Sequence, residues 1–423
     1  MPSAPDSEGS SDWHGGAGTY LRRHPVSVVA FSWGLCTYIP LGVLYLHLLL
    51  MLLALGFSGN LRERLRDLPQ GVFVWPIIAM LCWSAAVAIL GHWFPDTQTR
   101  LFHMFRVALL LVLGMLLLRN EVLAAMAGFL VAAVCAALIV SIHHVWGLPN
   151  WQVWGSLLES RNNFSSGNMI SMAMASGIFF WLALRKSADS DLRWLALLSA
   201  LILGAVVTMH ALSRNAQLLL LILLVVAMAY RFRSFKGSMA GLAVVLTLVA
   251  ATWQLSPLTR DRFTRAADDL QHALGAADYS TSVGVRLRMY EEAVQGIASH
   301  PIMGTGIGSW LPRWRVVWKS ISGNLPPASQ REFSEVNNPH NDFLLAGMET
   351  GLPGMLLLAW LLARGLRHAW RRESCMGGVS AIVCMTVVTT AMVNAPFRDA
   401  ALGMTLLWLL GGSTSRTGAL RHE

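Results

Sequence analysis

Charge is scarce in this chain. Asp, Glu, Lys and Arg make up 13% of its 423 residues, about half the share of a soluble globular domain, so a soluble enzyme of this length is excluded. Lysine is scarcer still, with 3 Lys against 29 Arg in a formal charge of +9. On a chain this apolar, that basic excess marks cytoplasmic loops rather than a nucleic-acid partner. The five cysteines (Cys36, Cys82, Cys135, Cys375, Cys384) lie in or beside apolar segments, with no CxxC pair. That implies neither a disulfide framework nor a zinc site, and the cysteines read as packing residues. The first 20 residues are rich in Gly, Ser and Asp and lack an apolar core, so they read as a disordered tail and not as a signal peptide. No internal repeat of the transporter kind is visible.

What is present is apolar length. Hydrophobic residues make up 55% of the chain and its mean hydropathy is +0.52. Many windows of about 20 residues are apolar enough to span a bilayer as helices. Twelve segments emerge: 26–39, 41–58, 71–90, 100–118, 121–142, 165–184, 192–210, 213–230, 238–255, 340–363, 376–393 and 399–412. The first two form a tight pair broken near Pro40. Segments apolar all round carry little helical periodicity, so length and apolarity decide the assignment. The fold class is an all-α polytopic membrane protein.

Basic residues orient it. With Arg22 and Arg23 placed inside, alternate loops carry Arg62/Arg64/Arg66, Arg119, Arg185/Lys186/Arg193, Arg231/Arg233/Lys236, Arg364/Arg367/Arg371/Arg372 and Arg416/Arg421. The short loops between them hold only Arg100, Arg161, Arg214 and Arg398. This alternation predicts both termini in the cytoplasm. The expected divisions are a tail over 1–24, helices 1–9 over 25–255, an outer loop domain over 256–339, helices 10–12 over 340–412 and a tail over 413–423. The outer segment 143–164, with Trp146, Trp151 and Trp154, suits an interfacial belt. The long outer segment carries nine basic residues, which topology alone does not explain. Within it 258–273 reads as a polar amphipathic helix. A second helix over 284–299 aligns Val285, Met289, Ala293, Gly296 and Ile297 near one stripe. His300-Pro301 ends that helix, Gly304-Thr-Gly-Ile-Gly308 is an irregular turn, and 319–338 reads as a mobile loop.

A polar hexapeptide, Asn337-Asn338-Pro339-His340-Asn341-Asp342, opens directly into apolar sequence and Gly351-Leu-Pro353-Gly354. Pro339 fits a first helical turn with Asn338 as its cap, which puts His340 at the lip of a membrane helix. The pattern His340-Asn341, nine residues, Gly351, two residues, Gly354 resembles the signature of bacterial O-antigen ligases. Ser213-Arg214 at the outer start of a helix resembles that family's outer-face arginine. Arg286-x-Arg288-x-Tyr290, then His300-Pro301 and Gly304-x-Gly306-x-Gly308, resembles its long periplasmic loop. By motif the resemblance covers roughly 205–365, and it extends to O-antigen polymerases and protein O-oligosaccharyltransferases. It implies about twelve transmembrane helices in a glycosyltransferase architecture of the GT-C type. It also implies transfer of a glycan from undecaprenyl pyrophosphate to lipid A–core at the outer face of the bacterial inner membrane, with no metal, nucleotide or other cofactor.

The residues fit such chemistry on their own terms. A pyrophosphate leaving group is strongly anionic, and the arginine fork matches phosphate oxygens in pairs. A sugar hydroxyl needs a base within reach, and neighbouring arginines keep a histidine neutral. His340 is therefore the candidate general base, with Arg214 and Arg288 beside it in catalysis. Arg286, His210, Arg106, Arg100 and Asn341 are candidates to meet pyrophosphate or lipid phosphates. His210 lies one helical turn below Arg214. Arg286 and Arg288 project about 200° apart on a helix, with a slight preference for Arg288. For Arg100, His103 and Arg106 two readings stand level: contact with lipid phosphates, or structural pairing with an intramembrane acid such as Glu349. Glu349 itself reads as a buried structural acid. Gly304–Gly308 lacks a Walker lysine, and Asp189-Ser-Asp191 reads as a solvated cytoplasmic turn. A transporter, whose polar site belongs near mid-membrane, is the rival of a different class.

Overall fold

In lipid a backbone must satisfy its own hydrogen bonds, and this chain does so by helix. The computed structural model describes residues 24–147, 172, 194, 197–204, 214–255, 257–276, 282–323, 333–372 and 374–415, and within them it contains no strand. The helices run α1 Pro25–Leu35, α2 Leu41–Phe57, α3 Leu61–Asp67, α4 Val74–Leu90, α5 Thr97–Met115 and α6 Arg119–Trp146. After the next described stretch come α7 Arg214–Phe232, α8 Phe235–Leu255, α9 Pro257–Ala276, α10 Ser282–Ser299, α11 Trp310–Ile321, α12 Asp342–Arg371, α13 Cys375–Val393 and α14 Ala400–Ser413. Among the described residues five helices are long and apolar enough to cross a membrane: α5, α6, α7, α12 and α13. A sixth span arises if α2 and the helix after it, which bend by 103°, count as one. Helices over 25–38, 74–90, 235–251 and 402–413 are apolar but shorter. The chain is a multi-pass membrane protein. The apolar segments 165–184 and most of 192–210 lie outside the described residues.

The bundle is built by a few close pairs. α1 lies along α6, α5 along α14, and α13 packs between α12, α7 and α14. Trp33 of α1 and Trp408 of α14 stack in the centre at 4.4 Å. Four described cysteines are unbridged; Cys384 is buried in the core, whereas Cys82 and Cys135 face outward.

Polar contacts sort the connections to two ends of the bundle. At one end Arg64 meets Leu116 and Glu121, Arg372 donates to Ser413, Ser415 reaches Leu117, and Arg233 donates to Trp370. At the other, Thr97 meets Ile307, Arg100 meets Asn337, and Arg398 meets Asp96. Of the arginine-bearing stretches that the sequence assigned to one side, those near 64, 119, 233 and 372 gather together; Arg22, Arg23, Arg185, Lys186, Arg193, Arg416 and Arg421 lie outside the described residues. The gathered stretches are not all loop, however: 61–67 forms α3, and its Arg64 is 4% exposed. That guanidinium makes a two-pronged pair with Glu121 at 2.6 and 2.8 Å. Glu121 also accepts from the Leu118 N–H at the start of α6. Glu121→Gln should cost about 1–3 kcal/mol, because it weakens charge-assisted bonds in a buried place. Thermal unfolding in detergent, set beside Arg66→Gln at an exposed neighbour, measures this.

Between α8 and α12 the chain builds a smaller core of its own. Val285, Met289 and Ala293 of α10 pack on Trp310, Trp314 and Trp318 of α11 and on Leu345 and Met348 of α12. The three tryptophans recur every fourth residue on one face of α11. They stack at 5.7 and 5.6 Å. Their indoles fasten the returning chain: Trp310 Nε1 donates to Val336 O and Trp314 Nε1 to Phe333 O. The stretch expected to be a mobile loop therefore divides. Residues 319–321 complete α11, 333–336 are held by tryptophan, and 324–332 lie outside the described residues.

Candidate active site

The tethered chain at 333–336 leads straight into the polar hexapeptide. The helix does not begin where Pro339 suggested. α12 starts at Asp342, and its cap is Asn341, whose side chain accepts from Leu344 N at 3.0 Å. Asn338 has a different task. Its Oδ1 accepts the His340 N–H at 2.8 Å, and His340 adopts φ +54°. A left-handed backbone is uncommon outside glycine, and here the Asn338 bond supports it. It holds His340 just outside the membrane helix.

The His340 ring is fixed as well. Its Nδ1 lies 3.2 Å from Oδ1 of Asn394, at the end of α13. An amide oxygen only accepts, so this bond places the proton on Nδ1 and leaves Nε2 with its lone pair. Burial pushes the His340 pKa down to about 4; the Arg286 charge acts in the same direction, and the Asn394 bond opposes them. The ring is neutral at pH 7. A neutral imidazole with one free nitrogen can accept a proton from a hydroxyl.

α10 supplies the cation. Arg286 lies near enough to act on both His340 and Tyr290, one turn along the same helix. Burial raises the Tyr290 hydroxyl above its ordinary range, with Arg286 and a hydrogen bond to Asn341 acting against it. Arg288 faces elsewhere, with Nη1 2.8 Å from Glu291. The geometry reverses the slight preference for Arg288: burial of Val285, Met289 and Ala293 against α11 and α12 sets the rotation of α10 and brings Arg286 to the histidine. Arg214 opens α7, but its side chain and all of His210 lie outside the described residues, as do Asp189 and Asp191.

For Arg100 the level alternatives separate. It is 3% exposed, paired with Glu349 at 3.0 Å and Asp96 at 3.4 Å, and donates to Asn337 O at 2.7 Å. Glu349 is 2% exposed, a buried structural acid as read. Arg106 is 1% exposed and donates to Arg398 O at 2.7 Å and Tyr45 Oη at 3.3 Å. These two cations are set into the scaffold. Arg100, His103, Asp342, Glu349 and Arg398 line a cavity of about 100 Å³ between α4, α5 and α12, of which His340 is not a wall. Asn341 is a cap that also donates to Met392 O at 3.0 Å.

The Gly304–Gly308 turn docks on a break in α12. Gly351 is non-helical there, and the backbone groups near it find partners in the chain at 301–305: Thr305 N donates to the Met348 carbonyl at 2.7 Å, and the Leu352 N–H donates to Pro301 O at 2.8 Å. The turn thus joins α10 to α12, the helix that follows His340. Sequence reasoning missed Asn394, because it stands 54 positions from His340 with no local motif. It also missed the tryptophan stripe, although Trp310, Trp314 and Trp318 show a four-residue repeat.

Residues 199–359 match the family described as O-antigen ligase. No curated protein matches the chain. The matched stretch contains Arg214, Arg286, the 304–308 turn and His340; Arg100, Arg106 and Asn394 lie outside it.

Proposed function

We propose, from the match of residues 199–359 to the O-antigen ligase family, that the chain joins a lipid-linked glycan to a lipid-borne acceptor. The donor is O-antigen polysaccharide on undecaprenyl pyrophosphate, and the acceptor is the lipid A–core oligosaccharide. The observation that carries the reading is His340 itself: left-handed in backbone, anchored through Nδ1, and neutral within the field of Arg286. The acceptor hydroxyl oxygen attacks the anomeric carbon while Nε2 of His340 takes its proton. The bond from that carbon to the pyrophosphate oxygen breaks, and the electron pair leaves with undecaprenyl pyrophosphate. Direct displacement inverts the anomeric configuration. Arg286, with Arg214, neutralises charge building on the leaving group. Asn341 lies beside them as a cap, His210 is kept as a candidate to meet the pyrophosphate one helical turn from Arg214, and Arg288, paired with Glu291, is peripheral to this step.

In this reading the twelve apolar segments form a GT-C-type bundle of twelve spans in the inner membrane. The arginine-rich end and both termini are cytoplasmic, and 256–339 forms a periplasmic domain over the site. Membrane lipids surround it; no nucleic acid and no cofactor takes part. The family assignment favours an enzyme over a transporter. The test is deletion of the gene followed by lipopolysaccharide gels. Loss of the ladder with intact core and accumulated polymeric lipid-linked glycan supports the ligase. Core bearing a single repeat unit would indicate a polymerase instead.

The two arginines should separate in a purified assay. Arg286→Ala is expected to lower kcat about 10²–10³-fold, the scale of losing one donor to developing negative charge. Arg288→Ala, which breaks only a helix-surface pair with Glu291, should stay within about tenfold. Equal losses would remove Arg286 from the clamp. A chelator should leave the rate intact; abolition with rescue by a divalent cation would overturn the arginine clamp.

A further inference from the structure

The turn between α13 and α14, Asn394-Ala-Pro-Phe-Arg398-Asp399, is held more firmly than a connection requires. Phe397 N donates to Asp342 Oδ2 at 3.0 Å, and Arg398 Nη2 donates to Asp96 Oδ2 at 3.0 Å. Arg106 reaches in from α5 to the Arg398 carbonyl at 2.7 Å. Asn341, the residue after His340, ties itself to the end of α13 by donating to Met392 O. Burying Arg106, Asp342 and Arg398 is costly, and these bonds offset part of that cost. They hold the turn that begins at Asn394.

We infer that Asn394 is a positioning residue for His340: its amide oxygen holds Nδ1–H and turns Nε2 toward the acceptor hydroxyl. The inference rests on the reading of His340 as general base. The choice of a neutral amide is physical. A carboxylate at this position would orient the ring equally well, but it would favour imidazolium. An alanine would leave the ring free to rotate and to exchange tautomers, and the base would be misplaced for much of the time. The buried network around residues 394–399 thereby gains a purpose that neither Arg106 nor Asp342 has alone. Asn394 acts through His340 and is not itself a catalytic residue.

The test uses the full-length enzyme in proteoliposomes with lipid-linked donor and lipid A–core acceptor. Asn394→Ala should lower kcat by at least about tenfold, within the range a placed base supplies, with KM for the donor and thermal unfolding unchanged. Asn394→Asp should keep kcat within a few-fold at neutral pH. It should also move the acid limb of the pH–rate profile upward by about one unit, as a nearby opposite charge does. Wild-type rate and pH profile in Asn394→Ala would overturn the inference. So would equal loss in both variants at every pH, which marks a merely structural residue. Should either variant misfold, the ¹⁵N spectrum of His-labelled wild-type protein, with His340 assigned by difference from His340→Asn, decides: protonated Nδ1 supports the inference and protonated Nε2 overturns it. Full activity in His340→Asn would sink the base reading; an inactive His340→Asn beside an unaffected Asn394→Ala would sink this inference alone.

Discussion

Replacing His340 by asparagine is expected to slow glycan transfer about 10²- to 10⁴-fold, the usual worth of a positioned base, without loss of folding. Asparagine is the instructive variant because it tolerates the left-handed backbone at φ +54°. Alanine removes the same imidazole but lacks asparagine's tolerance of that backbone, which mixes chemistry with stability. The pH dependence has a definite sign. A base works when deprotonated, so activity persists as pH rises and is lost as pH falls through its pKa. With the free-enzyme pKa near 4, the acid limb of kcat/KM should lie well below that of an ordinary histidine. Donor binding brings negative charge beside Arg286 and the ring, which favours imidazolium. The acid limb of kcat should therefore lie above that of kcat/KM. Arg286→Ala removes a charge that holds the pKa down, so its kcat/KM limb should move upward. If His340→Asn keeps more than half the wild-type rate, or the limb stays fixed in Arg286→Ala, His340 is not the base.

How much of this could be read from the sequence depended on how local the physics is. Apolar length is local, so segments 376–393 and 399–412 reappear as α13 at Cys375–Val393 and α14 at Ala400–Ser413. The stripe Val285, Met289 and Ala293 is local too, and it faces a core. The start of α12 was misjudged by local rules. Asn338 and Pro339 resemble a cap and a first turn, but Asn338 bonds the His340 N–H and delays the helix to Asp342. The rest is tertiary. Arg100 meets Glu349 across 249 positions, and Asn394 meets His340 across 54. No spacing rule brings such residues together. Arg286 and Arg288 stand between these cases: both sit on α10, and only its packing against α11 and α12 decides which turns toward the histidine.

Gly351→Ala should damage both stability and transfer, because the glycine is left-handed and tightly enclosed. Gly351 holds φ +75° and ψ 179° inside α12, a region that residues with a side chain avoid at about 1–3 kcal/mol. A Cβ there would stand 2.0 Å from the Ile302 carbonyl oxygen, and overpacking of that kind adds about 1–3 kcal/mol. Neither side can retreat cheaply. The same contact aligns Leu352 N with Pro301 O and Thr305 N with Met348 O, and Trp83 Nε1 donates to Thr350 O at 2.8 Å. If the 300–308 turn moves out, the Leu352 N–H and the Met348 carbonyl lose their partners inside α12, a helix long and apolar enough to cross a membrane, where such partners are costly to replace. The expected loss is about 2–6 kcal/mol, read as a lowered unfolding midpoint in detergent. Gly56→Ala is the control, because a Cβ on α2 at that point meets nothing within 4 Å, and it should leave the midpoint unchanged or slightly raised. The damage should also reach the chemistry. The turn follows directly from Ser299, the last residue of α10, and α10 carries Arg286. Pushing the turn off α12 displaces the cation from the histidine, so Gly351→Ala should transfer glycan poorly even at temperatures where it remains folded. A variant that unfolds with the wild type, or one that is destabilised yet fully active when folded, would separate the break in α12 from the alignment of Arg286 and His340.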